Sequence, residues 1–328
     1  MSKKCVGCGA VLQTENREKP GYTKSFDMDY CMRCFRLKHY HEKNDVSIMI
    51  DPDKIIKTVN EDHGFVFFFL DILNIYEENL AYFRRITQSK ILVISKIDVI
   101  PKNISLKNIE NWLRKHFKIL EPILFVQGKK TSAKKIRNLI EENEAKKFYF
   151  LGITNAGKST LLNLLVEEYS LNKKPVLVSE IPNTTLDFIQ ISLPNQKEII
   201  DSAGFAYSYV FDEMDWLKKA MIKKSIKPRT FYLKEGTNLV MEEQIILHLN
   251  SLNSITFYGS ENLKLKKNYQ KQDLPSLTFK VPASSNIYLK GLGFFYLKNA
   301  DQVTISGVGK ANIAIEPSFL GGRFYDED

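Results

Sequence analysis

The chain has 328 residues, enough for two or three domains, and its hydrophobic share of 44% is typical of a folded soluble protein rather than a disordered one. It contains no apolar run long enough to span a bilayer, and its first residues carry no signal-peptide or transit-peptide pattern. We therefore expect a cytoplasmic protein without a membrane partner. The net charge of +9 permits a nucleic-acid partner but does not establish one, because a lysine-rich composition also follows from AT-rich coding.

The four cysteines form two Cys-x2-Cys pairs near the N-terminus, Cys5 with Cys8 and Cys31 with Cys34. In a reducing compartment, clustering of this kind indicates a metal site rather than disulfides. Two such pairs are typical of a structural zinc site closed by four thiolates. The alternative is four free cysteines. We predict a four-cysteine zinc finger over residues 1–45.

Short apolar runs alternate with helix-like patterns in the next part of the chain, which predicts an α/β domain over residues 46–225 with a mostly parallel sheet. The predicted strands are 66–72, 91–95, 122–126, 147–151, 188–193 and 198–200. The predicted helices are 76–88, 105–117, 133–144 and 158–168, with a polar, lysine-rich helix at about 211–225.

After Pro228 the pattern changes to short β-like runs separated by Gly, Asn and Ser. These runs are 230–233, 244–249, 254–258, 277–281, 294–297, 302–305 and 311–315. They predict a separate β-rich domain over residues 226–328 for interaction with RNA or protein. The pattern predicts no fold more specific than that.

The sequence Gly152-Ile-Thr-Asn-Ala-Gly157-Lys158-Ser159 is a complete Gly-x4-Gly-Lys-Ser motif. It lies between an apolar strand and a helix pattern, as a P-loop requires. Lys158 is predicted to neutralise the β- and γ-phosphates of a nucleotide, and the Ser159 hydroxyl to ligate Mg²⁺. The predicted phosphate-binding set is Thr154, Asn155, Ala156, Gly157, Lys158, Ser159 and Thr160.

Two downstream segments have the character of switch motifs. In Asp201-Ser-Ala-Gly204, Asp201 is expected to hold Mg²⁺ through water, and the Gly204 N–H to sense the γ-phosphate. One of Thr184 and Thr185 is expected to supply a second Mg²⁺-ligating hydroxyl. Thr184 is also a candidate for nucleotide contact, whereas Thr185 is assigned to the Mg²⁺ ligands and completes a catalytic set with Lys158 and Gly204.

The segment Ser95-Lys96-Ile97-Asp98 follows an apolar strand and is close to the guanine-reading Asn-Lys-x-Asp motif. A carboxylate at Asp98 can accept hydrogen bonds from both guanine N1–H and N2–H₂, which adenine does not offer. The Lys96 stem is expected to pack over the base. Ser95 replaces the usual Asn, so that a shorter side chain is left to brace the loop.

The base-reading motif precedes the P-loop, the reverse of the order in ordinary GTPases, and a parallel sheet can be permuted in this way without losing its pocket. Together, the motifs resemble the YqeH-like circularly permuted GTPases. The resemblance implies a P-loop GTPase domain with permuted motifs, a zinc finger, GTP or GDP with Mg²⁺ and Zn²⁺, and a role with the small ribosomal subunit, its rRNA or its assembly intermediates. It also implies that Asn155 helps to bind K⁺.

Several positions depart from that family pattern: Ser95, Asn183, Ala203 and a degenerate Ser-Ala loop at Val126-Gln127. Phe205 stands where some GTPases carry a water-orienting Gln, so hydrolysis is expected to be slow or to need a cation or partner. One alternative is an RNA-binding adaptor whose degenerate site binds GDP but barely turns over. Another is a GTPase in a different RNA process. We expect a monomer.

Overall fold

The computed structural model describes residues 3–5, 11–15, 21–32, 51–171, 177–180, 188–193, 196–202, 204–205, 219–220, 222, 225–234, 237–269 and 274–320. The predictions for Cys8, Cys34, Asn183, Thr184, Thr185 and Ala203 lie outside these residues. Most of the helix predicted at 211–225 also lies outside them. Lys219 and Ala220 are helical, whereas residues 222 and 225 are not.

A sheet that has seven strands within the described residues carries the motifs, in the order β3-β2-β1-β4-β7-β6-β5. Pairing is parallel for β1 with β4, β2 with β3 and β4 with β7, and antiparallel for β6 with both β5 and β7. The mostly parallel sheet is therefore confirmed. The strands are β1 Phe65–Asp71, β2 Ser89–Ser95, β3 Ile123–Phe125, β4 Lys147–Gly152, β5 Leu177–Glu180, β6 Phe188–Ser192 and β7 Glu198–Ser202.

Five α-helices accompany this sheet in the described part of the chain: α1 Pro52–Glu61, α2 Glu77–Arg85, α3 Leu106–Phe117, α4 Lys130–Glu142 and α5 Lys158–Leu171. The prediction missed α1, although Asp51 caps it by accepting the N–H of Asp53 and Pro52 opens its first turn. The predicted start of α4 at 133 was wrong, because the helix begins at Lys130.

The central strand β1 is an almost unbroken apolar run, as expected for a parallel strand covered on both faces. Phe67 and Phe69 pack against Phe148 and Phe150 of β4, with ring centroids 5.2–6.3 Å apart. These rings belong to a buried core that also includes Leu161 of α5. Packing of α5 into this core fixes the position of its N-terminus, where the P-loop motif ends.

The C-terminal region forms two antiparallel sheets, each with five strands within the described residues: β12-β9-β10-β16-β13 and β17-β14-β15-β11-β8. Side chains from both sheets share one buried core, so the region is a β-sandwich. Its strands are β8 Arg229–Leu233, β9 Asn238–Met241, β10 Ile245–Leu249, β11 Asn253–Gly259, β12 Leu265–Asn268, β13 Ser276–Val281, β14 Ser285–Leu289, β15 Gly293–Leu297, β16 Asp301–Ser306 and β17 Ile313–Pro317.

The expectation of a β-rich C-terminal region is confirmed, and three of its strands were missed. These are β9, β12 and β14. The last predicted strand, 311–315, was placed two residues too early, because Lys310–Asn312 form a 3₁₀ turn before β17.

The chain divides into two compact units that do not follow the sequence order. One consists of Met1–Leu70, Tyr82–Ser95 and Glu121–Ala206, and the other of Asp71–Ala81, Lys96–Leu120 and Tyr207–Asp328. The P-loop and Asp201 belong to the first unit. The Lys96–Asp98 segment belongs to the second unit, together with the β-sandwich.

Candidate nucleotide-binding site

The P-loop turns directly out of β4 at Gly152. Its backbone φ is +145°, and a Cβ at this position would lie 2.3 Å from the carbonyl oxygen of Phe69 on β1. Any larger residue would therefore push β4 away from β1 at the carboxyl edge of the sheet. The Ile153 N–H donates to that same Phe69 carbonyl over 3.2 Å. Close contact between the two central strands thus fixes where the loop begins.

The predicted phosphate-binding residues follow along the loop and the first turn of α5. Ala156 is buried, and its N–H donates to the carbonyl of Ile153 over 3.1 Å. Asn155 has a φ of +63° and an exposed side chain. Ser159 is half-buried and Thr160 exposed at the start of α5. A helix N-terminus with free N–H groups and a favourable dipole is a suitable place for phosphates.

Lys158 joins the P-loop to the end of β7. Its ammonium donates to the Asp201 carboxylate and to the main-chain carbonyl of Ser202, and all three residues are buried. An ammonium has three donors, so these contacts use two of them. Burial raises the pKa of the Asp201 carboxyl above its ordinary value, while the charge of Lys158 acts in the opposite direction.

A second connection joins the P-loop to the residues after β7, and we call it the Thr154–Phe205 clasp. The N–H of Thr154 donates to the carbonyl of Phe205 over 2.9 Å, and the Thr154 hydroxyl donates to the same oxygen over 3.0 Å. The N–H of Phe205 donates to the Gly152 carbonyl over 2.9 Å. The clasp thus fixes the backbone on the C-terminal side of Gly204 against the P-loop.

Gly204 lies inside this clasp. A Cβ at Gly204 would approach the Thr154 Cα within 2.8 Å, so only glycine allows the two segments to lie so close. The ring of Phe205 is buried, with ring centroids 5.9 Å from Phe68 and 5.3 Å from Tyr82. Phe205 therefore places an apolar ring in the core and brings no polar side chain to the site.

The donor set around the P-loop suits Mg²⁺. Ser159 offers a hydroxyl and Asp201 a carboxylate, and hard oxygen ligands of this kind are what Mg²⁺ prefers. The close contact of Asp201 with Lys158 places this carboxylate beside the P-loop. These two predicted ligands therefore belong to one region of the first unit, and the third, Thr185, lies outside the described residues.

In the second unit, the Lys96–Asp98 segment, which is predicted to read the base, forms a turn. Lys96 has a φ of +57°, and its carbonyl accepts the N–H of Val99 over 3.0 Å. The Asp98 side chain is exposed and open to a ligand. The Lys96 ammonium donates to the Asp71 carboxylate at the end of β1 over 2.6 Å. The N–H of Ile226 donates to the Val99 carbonyl over 2.6 Å.

Ser95 braces the end of β2 in the first unit despite its short side chain. Its hydroxyl donates to the main-chain carbonyl of Leu70 over 3.1 Å, and the residue is buried. A Cβ built on Gly157 would lie 3.9 Å from the Ser95 Cβ. The end of β2 and the P-loop are therefore neighbours within this unit.

The degenerate loop after β3 lies in the same region. The N–H of Val126 donates to the Ile94 carbonyl over 2.8 Å, so the chain leaves β3 beside the end of β2. The N–H of Gln127 donates to the hydroxyl of Ser132 over 3.1 Å. A Cβ on Gly128 would lie 3.4 Å from the Thr160 methyl. The loop thus borders the first turn of α5.

Two of the four predicted zinc ligands can be placed. Cys5 and Cys31 are both buried, and the N–H of Cys31 donates to the Cys5 Sγ over 3.2 Å. A sulfur that accepts an N–H bond suits a thiolate ligand. Across the described residues, no group of three or more His, Cys, Asp or Glu is arranged to hold a metal, and Cys8 and Cys34 lie outside them.

Two features were missed in the sequence, one in each unit. The first is Asp71, whose signal is an acidic residue at the end of the otherwise apolar strand β1. The second is the main-chain carbonyl of Ser202, which accepts from Lys158 and which a sequence motif does not reveal.

Over the described residues, no helix is both long and apolar enough to cross a membrane.

Two family models match the chain. The model described as RsgA GTPase matches residues 59–210, and the model described as 50S ribosome-binding GTPase matches residues 147–277. The first match includes both the Lys96–Asp98 segment and the P-loop. It therefore covers the motifs in their permuted order.

The chain is also similar to individual proteins. The uncharacterized protein YqeH of Bacillus subtilis (strain 168) is 31% identical over 252 residues, which are 72% of this chain and 69% of YqeH. NO-associated protein 1, chloroplastic/mitochondrial, of Arabidopsis thaliana is 26% identical over 57% of this chain and 40% of its own length. The crystal structure of YjeQ from Thermotoga maritima has a TM-score of 0.31 and 16% identity, covering 44% of this chain and 49% of YjeQ.

Proposed function

The chain belongs to the YqeH family of circularly permuted GTPases and is a GTP-hydrolysing enzyme, and from this premise we propose that it is a nucleotide-dependent switch in assembly of the small ribosomal subunit. The GTP-bound form docks on the particle or its rRNA, and hydrolysis releases it. The observation that carries this proposal is the double connection of the P-loop to the residues around Gly204. Lys158 provides one connection and the Thr154–Phe205 clasp the other.

These connections suit a switch because a γ-phosphate can act on both at once. Lys158 is proposed to neutralise phosphate charge, and the Gly204 N–H to sense the γ-phosphate. Ser159 and Asp201 would hold Mg²⁺, with Thr185 as the third proposed ligand, and the bound ion would supply charge neutralisation at the β- and γ-phosphates. Since Gly204 lies against Thr154, a movement of the switch segment must disturb the P-loop backbone.

Hydrolysis is proposed to be slow without help. The ring of Phe205 is buried, so this position cannot orient the attacking water. A cation can supply the missing charge stabilisation, and the exposed amide of Asn155 is the candidate ligand for K⁺. Replacement of KCl by NaCl at equal ionic strength is expected to lower kcat, and an equal loss in Asn155→Ala without the salt change would support the assignment.

RNA contact is proposed for one side of the β-sandwich, which we call the Tyr232–Tyr269 face. The Lys267 ammonium of β12 donates to the Tyr232 carbonyl of β8 over 2.7 Å, so the edge strands of the two sheets lie side by side. Tyr232 is 72% exposed and Tyr269 75% exposed. Exposed lysines accompany them at 234, 264, 266 and 267. Tyrosine rings with lysines between them suit unpaired RNA, through base stacking and phosphate contact.

The N-terminal residues 1–45 are proposed to form a zinc finger that adds a second contact. Support comes from the two Cys-x2-Cys pairs and from the N–H bond that Cys5 Sγ accepts from Cys31. A structural site of four thiolates would hold one zinc per chain. Metal analysis of the purified protein is expected to give one equivalent of zinc, with loss of zinc in Cys31→Ser. Iron in its place would overturn the assignment.

Co-sedimentation with purified 30S and 50S subunits tests the ribosomal role. More protein is expected to sediment with 30S particles in a non-hydrolysable GTP analogue than in GDP, and added salt is expected to weaken the association. Replacing Lys266 and Lys267 by Glu should weaken 30S binding and leave GTP turnover intact. Lys280→Glu, on the opposite edge strand β13, is the matched control. Equal binding in both nucleotides, or binding that salt does not change, would contradict the proposal.

The description of the model that matches residues 147–277 makes the large subunit the second candidate particle. Preferential sedimentation with 50S particles would favour it.

The adaptor alternative predicts GDP binding without K⁺-dependent turnover, so a K⁺-dependent turnover assay separates it from the switch. RNA that remains bound to the purified protein and proves to be tRNA would instead favour a GTPase in another RNA process. The cytoplasmic, monomeric state stays a prediction that fractionation and light scattering can check.

A further inference from the structure

The carboxylate of Asp71 forms an ion pair with Lys96, the lysine of the base-reading segment, and the two atoms lie 2.6 Å apart. Asp71 is the last residue of β1, and its side chain is largely buried, whereas Lys96 is about one third exposed. A bond this short between opposite charges belongs to the strong class of hydrogen bonds. The ion pair therefore restrains the ammonium end of the Lys96 side chain.

Asp71 is itself held firmly, so it can act as an anchor. Its second carboxylate oxygen accepts the N–H of Leu73 over 2.9 Å, and its main-chain carbonyl accepts the N–H of Asn74 over 2.8 Å. Both carboxylate oxygens are thus occupied, one by a main-chain N–H and one by Lys96. This arrangement fixes the orientation of the carboxylate before any ligand binds.

The turn that presents Asp98 is tied at three points. Its first residue, Lys96, is bound to Asp71 through the side chain and to Val99 through the main chain. Its last residue, Val99, accepts the N–H of Ile226. Asp98 lies between these points with an exposed side chain. Because Lys96 adopts a left-handed backbone conformation, which is costly for a lysine, the turn needs such restraints to persist.

From this geometry we propose that Asp71 is a positioning residue for guanine recognition: it holds the Lys96 ammonium so that the lysine stem and the Asp98 carboxylate are pre-set for the base. This inference rests on the proposed base-reading role of Lys96 and Asp98. The Asp71–Lys96 ion pair also adds to the bracing by Ser95, whose short side chain holds the Leu70 carbonyl.

The test compares wild type with Asp71→Asn, Lys96→Met and the double variant. Asp71→Asn is expected to raise the KM for GTP and the Kd for GDP about tenfold, as for loss of one charge-assisted bond, with a much smaller change in kcat. The Kd for magnesium triphosphate, which has no base, should stay unchanged. In the Lys96→Met background, Asp71→Asn should weaken GDP binding no further, because Asp71 acts through Lys96.

Asp62→Asn is the matched control, because Asp62 also accepts from a lysine over 2.6 Å, at Lys147 near the amino end of β4. It should leave the Kd for GDP unchanged. Equal losses of GDP and triphosphate binding in Asp71→Asn would show a merely structural role and overturn the inference, as would additive effects in the double variant.

Asp98→Asn runs in parallel: if it fails to shift preference toward XDP, the base-reading proposal fails. If it shifts preference while Asp71→Asn has no effect, only the role of Asp71 fails.

Discussion

The indole N–H of Trp112 donates to the main-chain carbonyl of Pro317 over 3.0 Å, although the two residues are 205 positions apart in the sequence. Trp112 lies on α3, which follows the Lys96–Asp98 segment, and Pro317 ends β17 of the sandwich. Glu316 beside it accepts the N–H of Glu77 and contacts His116. The second unit is therefore built from chain segments on both sides of the P-loop.

Trp112→Phe tests this connection. The residue is fully buried, so its loss leaves the Pro317 carbonyl without this donor and a gap beside Phe319. We expect the free energy of unfolding to fall by about 2 kcal/mol, measured by urea denaturation. Leu120→Ala, at an exposed position after α3, is the control and should change stability by less than about 0.5 kcal/mol. Equal stability of Trp112→Phe and wild type would show that the contact does not stabilise the unit.

Gly204→Ala tests the contact between the proposed switch segment at Gly204 and the P-loop. The added methyl would lie 2.8 Å from the Thr154 Cα, so the segment must move away from the P-loop. We expect kcat for GTP to fall by about two orders of magnitude, as when a transition-state donor is lost, while GDP binding changes little. Single-turnover hydrolysis and GDP titration measure the two effects.

Gly309→Ala is the control for the glycine substitution, because a Cβ there would meet only Asn312 at an ordinary distance of 3.9 Å. It should hydrolyse GTP like wild type. If Gly204→Ala hydrolyses GTP at a similar rate to Gly309→Ala, the close approach of the two segments has no role in turnover. A parallel loss of GDP binding would instead indicate that the whole P-loop is displaced.

Asp98→Asn tests base selection. Wild type is expected to prefer GDP over ADP and XDP in the presence of Mg²⁺, because the carboxylate accepts from two guanine donors. The Asn side chain can donate to the additional oxygen of xanthine, so the variant should shift toward XDP. Equilibrium binding of the three nucleotides to both proteins measures the shift. Wild-type binding without base preference would contradict the role of Asp98 and favour the adaptor alternative.

The sequence predicted the parts of the fold that periodicity and motifs encode. Strands β1, β2 and β4 are apolar runs that alternate with helices along the chain. This pattern predicts a parallel sheet, because the strands of such a sheet are covered by helices on both faces. Gly152 and Gly204 are identified by their motifs, and their close packing explains why glycine is needed there. Strand β12 was missed because Leu265–Asn268 is a short edge strand that carries two lysines.

Contacts between distant segments could not be predicted in this way. Asp71 and Lys96 are 25 residues apart, and no local pattern indicates that they pair. The same is true of Thr154 and Phe205, whose hydrogen bonds depend on the parallel bridge between Ile153 and Phe205. Sequence motifs identify candidate ligands of the nucleotide, whereas the residues that orient them depend on which strand ends become neighbours in the sheet.

The last prediction concerns pH and the opposite edge of the sheet, where Asp62 contacts Lys147 and Tyr149. Burial disfavours the charged form of Asp62, but hydrogen bonds from Lys147 and Tyr149 outweigh this effect and lower its pKa below the ordinary value. Because the folded-state pKa is the lower one, the stabilisation is present at neutral pH and is lost as pH falls below about 4.

Asp62→Asn should therefore lower the free energy of unfolding by about 1 kcal/mol at neutral pH, a small value because the group is partly exposed to solvent. The difference from wild type should shrink as the pH falls below about 4, because the wild-type carboxylate then becomes protonated. Urea denaturation across this pH range measures it. Glu61→Gln, which breaks only the exposed pair with Lys57 at 3.9 Å, is the control and should match wild type throughout. A stability difference that persists unchanged in acid would mean that Asp62 stabilises the fold through its shape and neutral hydrogen bonds rather than through its charge.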